Sequence, residues 1–134
     1  MHTLTEREYL QLSPEDRERA DVEIDKKMRE IRSYYIDVAA EVESLIADKD
    51  YLTAEAYLVN ILEMGIELGD NKEGLVLTRA LAVGCRRRAS RVLVKLYTLT
   101  GDNSGVQMSR EQLSQDEEEM KEIRTAAKHR EANT

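Results

Sequence analysis

Seven large apolar residues, Ile24, Met28, Ile31, Tyr35, Val38, Val42 and Leu45, recur at alternating steps of four and three. A strand sends successive side chains to opposite faces, whereas a helix turns about 100° per residue, so only a helix gathers all seven into one stripe. The spacing is that of the seam between helices packed nearly parallel to one another. The partner across the seam is either another helix of the same chain or a second copy. In the second case Ile24, Met28, Ile31 and Tyr35 are the candidate self-association residues.

The rest of the chain agrees with a helical reading. Apolar residues make up 41% and charged residues 35%, with one Pro and no Phe or Trp, so the core has to come from aliphatic side chains and six Tyr. Long unbranched and charged side chains lose little rotamer freedom in helices, and strand formers are scarce. At 134 residues the chain is one domain's worth of sequence.

Local signals divide it. Thr5 and Glu8 have capping-box spacing, which predicts a short helix over 6–11 within an N-terminal segment 1–12. Ser13-Pro14 then opens a long helix, with acids in its first turn. Asp48-Lys49-Asp50 interrupts the apolar pattern, and a second helix is expected from Tyr51 or Thr53 until Gly69 closes it in a left-handed cap. Asn71 can cap a third helix over 72–100, in which Gly84 marks either close approach by a neighbour or a kink. Residues 101–105 read as a flexible connection, and Ser109 with Gln112 as the cap of a final helix. Because that helix has few apolar residues, weak docking and fraying over 128–134 are expected. The expected fold is therefore an all-α, single-domain antiparallel helical bundle over 1–134: three long helices, a short N-terminal helix and a weakly docked C-terminal helix.

The bend Asp50-Tyr51-Leu52-Thr53-Ala54-Glu55-Ala56-Tyr57-Leu58 resembles the turn and second-helix start of a tetratricopeptide repeat, with Ala54 and Leu58 at the close-packing positions. The likeness spans about residues 38–66, one helical hairpin. Val38, Glu41, Val42 and Leu45 stand where the repeat has Trp, Leu, Gly and Tyr, and Ile66 where it has Pro. The resemblance implies the hairpin but not the family's peptide-binding surface, which needs several stacked repeats. No binding residue is carried over.

Chemistry-bearing residues are few. His2 and His129 lie near the ends, where held geometry is hard to achieve. Cys85 is followed by Arg86, Arg87 and Arg88, which would lower a thiol pKa if they faced it, but neighbours in sequence on a helix point elsewhere, and a buried inert thiol is the plainer reading. There is no HExxH, ExxH or CxxC spacing and no glycine-rich phosphate loop. No catalytic, cofactor or metal residue is assigned, and no cofactor is expected.

Charge is unevenly distributed. Residues 1–70 carry 8 basic and 18 acidic side chains, residues 71–100 carry 7 and 1, and residues 101–134 carry 5 and 8. The basic middle segment offers Arg86, Arg87, Arg88, Arg91 and Lys95 as candidate partner-binding residues, with Arg87, Arg91 and Lys95 on one helix face. This face can pair with the acidic run 116–119 of the last helix, or bind an acidic partner protein. Nucleic-acid binding through the Arg-rich helix 79–95 is disfavoured by the net charge of -7. The single cysteine excludes an internal disulfide and suits a reducing compartment, and no stretch has the roughly 20 apolar residues of a membrane span, so a cytoplasmic location is expected. The function expected is a non-enzymatic helical interaction or scaffold domain with a protein partner, as a homodimer in one version. The alternative is a small regulator or enzyme with a bundle pocket lined by Tyr34, Tyr35, Tyr57 and Cys85.

Overall fold

The computed structural model describes residues 4–70 and 74–132, with side chains to His129. Among them there are five helices and no strand: α1 (Glu6–Leu10), α2 (Pro14–Ala47), α3 (Tyr51–Leu68), α4 (Val76–Thr100) and α5 (Asn103–Ala132). The all-α class follows directly.

Each boundary has a local cause. The capping box of α1 is formed, with Thr5 Oγ1 accepting from the Glu8 amide and the Glu8 carboxylate accepting from the Thr5 amide. Ser13 Oγ accepts from the Asp16 amide at the head of α2, with Pro14 in the first helical position. The end of α2 is a Schellman turn, in which the Asp50 amide donates to Leu45 O and the Lys49 amide to Ile46 O. Lys49 therefore adopts φ 61°, a left-handed conformation unusual for a residue with a Cβ. The same motif closes α4, where Gly101 takes φ 75°.

Three boundaries differ from expectation. Gly69 is not left-handed (φ -97°), and the lack of a Cβ serves packing instead: a Cβ there would lie 3.0 Å from Ala82 Cβ and 2.7 Å from Arg86 Nη1. Asn71 lies outside the described residues; the first amide of α4, that of Val76, donates to the Glu6 carboxylate at 3.0 Å. The stretch 101–105 is no flexible linker, because Asp102 accepts from the Gly105 amide at 2.9 Å and α5 starts at Asn103 rather than near Ser109. Gly105 is needed there, since a Cβ would meet the Tyr97 ring at 2.6 Å.

The final helix is also not a weakly docked one. It has 30 residues, is helical past Lys128 to Ala132, and makes its contact with α4 the most extensive between any two helices. Val76 and Val83 pack there with Ile123, flanked by Met120, Ala126 and Ala127. The main core lies between α2, α3 and α4, where Tyr35, Val38, Val42, Ala54, Leu58, Ile61, Leu93 and Leu96 are buried together. Pairs Arg79–Glu119 and Tyr97–Gly105 show that α4 and α5 run in opposite senses. Approaches of Gly65 to Arg86 and of Glu55 to Tyr97 show the same for α3 and α4. Few residues join α2 and α4 directly.

Candidate functional site

The loose contact between α2 and α4 leaves a groove of about 500 Å³. Tyr35 and Met28 of α2 and Leu81 and Cys85 of α4 form its floor. Its walls carry two large apolar side chains turned to solvent, Ile36 at 64% exposure and Leu77 at 51%. Apolar side chains clustered at that exposure are what a docking surface offers.

Gly84 belongs to this groove. It introduces neither a close approach nor a break: α4 runs continuously through it, and no atom lies within 4 Å of where its Cβ would be. At this one position the helix backbone is bare toward the groove.

Cys85 is buried and faces Tyr35 rather than solvent. Burial pushes its thiol pKa up, against a smaller downward pull from Arg88 and then Arg86, which disfavours the thiolate. Burial raises the Tyr35 phenol as well. Tyr34 and Tyr57 are not brought to the groove with them; both are exposed, and Tyr34 Oη accepts from Asn60 Nδ2 at 3.5 Å.

The arginines of α4 separate into two groups. Arg86 is buried and does not form part of any outward basic face. Its Nε donates to Asp116 Oδ1 at 2.9 Å and its Nη1 to the carbonyl of Gly65 at 3.3 Å, while Gln112 Nε2 donates to the same Asp116 oxygen. Asp116 is 1% exposed. Arg79 pairs with Glu119 at 3.1 Å. The acidic run of the last helix thus neutralises Arg79 and Arg86, leaving Arg87 half-buried and Arg88, Arg91 and Lys95 exposed. Arg88 lies over the Tyr35 ring, 5.7 Å from its centre.

The stripe of α2 is turned mostly inward. Met28 and Tyr35 are buried, while Ile24 and Ile31 are half-buried. Those two line a second cleft of about 740 Å³ with Met64, Leu75 and Leu81. Among the described residues no group of three or more His, Cys, Asp or Glu is placed to hold a metal ion, and no helix is long and apolar enough to cross a membrane.

The sequence had no marker for the groove as a unit. Ile36 and Leu77 lie off the main stripes, and they come together only where α2 and α4 face each other across Tyr35, Leu81, Gly84 and Cys85. No family model, curated protein or solved structure matches the chain.

Proposed function

We propose that this protein is a non-enzymatic helical docking module whose binding surface is the α2/α4 groove. The supporting observation is the exposed pair Ile36 and Leu77 above a continuous apolar floor. An elongated apolar groove between two helices suits a segment of another protein better than a small substrate, which calls for a concave site with convergent polar groups. In this reading the helices form an antiparallel bundle in which α2/α3, α3/α4 and α4/α5 are successive hairpins. The first hairpin is a single tetratricopeptide-like unit, with Ala54 buried at its close-packing position. A reducing compartment such as the cytoplasm suits the lone, buried Cys85.

The test is selection of helical peptides from a displayed library against the whole chain, with Gly84→Leu as the counter-screen. Gly84→Leu puts a large side chain into the groove from a position where the Cβ itself meets no atom within 4 Å. Binders that lose the variant support the reading; an empty selection, or binders indifferent to the substitution, would remove it.

Self-association is a second reading, favoured by the half-buried Ile24 and Ile31 in the larger cleft. Sedimentation at several concentrations, comparing the protein with Ile31→Glu, decides it; a strict monomer in both eliminates the dimer.

A further inference from the structure

Ten residues line the α2/α4 groove, and its charged members are Arg32 and Arg88. Among the described residues neither guanidinium has a carboxylate within ion-pair distance, although the chain holds 27 Asp and Glu. On the last helix Glu119 and Asp116 pair with Arg79 and Arg86, which face away from this groove. An acid-rich molecule thus presents one apolar groove flanked by two cations that its own carboxylates leave unpaired.

The α4 side of the groove has the spacing of a helix seat. Along α4 the groove-lining residues Leu77, Leu81, Gly84 and Arg88 follow steps of four, three and four, and at 1.5 Å rise they span about 16 Å, or three turns. Bare backbone at Gly84 lets another helix approach closely there. Extending the docking reading above, on which this depends, we propose that the groove receives an amphipathic helix of a partner protein whose apolar stripe is flanked by carboxylates. Its stripe covers Leu77, Leu81 and Ile36, and its acids meet Arg32 and Arg88.

A second copy is a poorer occupant. A two-fold interface brings the same patch to itself, so the four arginines of two copies would crowd one apolar seam. Nucleic acid is poorer still, because the floor between the two cations is apolar and the chain carries a net charge of -7.

The test uses three labelled synthetic peptides, each about 14 residues or roughly 20 Å as a helix. They share one leucine stripe at helical spacing and carry Glu, Gln or Lys beside it, and fluorescence anisotropy reads their binding to the full chain. The Glu peptide is expected to bind about tenfold or more tighter than the Lys peptide, with the gap shrinking as salt rises. Arg32→Glu combined with Arg88→Glu reverses that order, and Gly84→Leu abolishes binding of all three. Circular dichroism of each variant checks its fold, and the Arg pair, being exposed, reads the charge preference independently of Gly84→Leu.

Equal binding of the three peptides that Gly84→Leu still blocks overturns the acidic partner but leaves the docking groove standing. No binding by any peptide, or binding that ignores Gly84→Leu, overturns both. Peptide displaced by a concentration-dependent dimer that Gly84→Leu dissolves makes a second copy the occupant and also overturns the proposal.

Discussion

Arg86 and Asp116 exchange a buried charge-assisted hydrogen bond, and the energetic weight of such a pair lies in the damage done by breaking it. Asp116→Ala leaves the guanidinium buried without its counter-charge and is expected to cost about 3–5 kcal/mol in urea unfolding. Arg86→Met with Asp116→Leu should cost far less than the sum of the two single changes, because apolar groups of similar volume need no partner. At Tyr97, burial, first, and the Glu55 carboxylate beside it push the phenol up to about 12 from its usual 10. The folded pKa is the higher one, so the stabilisation is complete below pH 10 and is lost as pH climbs through about 12. Tyr97→Phe should flatten the alkaline limb of a stability-against-pH curve while leaving the neutral region less changed. At this scale the sequence was half legible. An arginine row facing an acid run announced ion pairs, but which arginines turn inward depends on the space left by Gly65, Gly69 and Ala82, whose proximity is tertiary.

The glycines separate local preference from packing. Gly84→Ala should stabilise by about 0.5–1 kcal/mol, since alanine favours helix and the space is open. Gly65→Ala should destabilise despite the same local gain, because its Cβ would lie 2.7 Å from Arg86 Cγ and 3.1 Å from the carbonyl of Ala82. Lys49→Gly should raise the melting temperature by relieving the left-handed backbone of the α2 cap, a gain of about 1 kcal/mol. Calorimetry on the three variants checks signs as well as sizes. The starts of α1 and α2 were readable because their caps are contained within four consecutive residues. The start of α5 was not. The run 101–105 has the composition of a loop, yet Gly101 is a cap, Asp102 another, and Gly105 is small because the Tyr97 ring lies against it. The start of α4 was hidden for a related reason: its capping carboxylate comes from Glu6, 70 residues earlier.

For the whole molecule, helical class followed from the four-three rhythm of α2, but the distribution of burial did not. The last helix has few large apolar residues, and this suggested an edge element. In the structure it seals Val76 and Val83 with Ile123 and supplies the counter-charges of both buried arginines. A chain ending at Gly101 is therefore expected to lose its cooperative thermal transition, monitored by circular dichroism, rather than persist as a smaller bundle. The groove was illegible for the complementary reason, being defined by an absence of packing between two helices that each pack well elsewhere. The reach of Arg86 to a carbonyl on α3 and a carboxylate on α5 also bears on how the protein comes apart. Detaching either flanking helix takes a hydrogen-bond partner from Arg86 as well as exposing apolar surface, so a half-open form sits high in energy. Deuterium uptake at interior amides of α3 and α5 should accordingly report one shared opening event, equal for both and close to the global value.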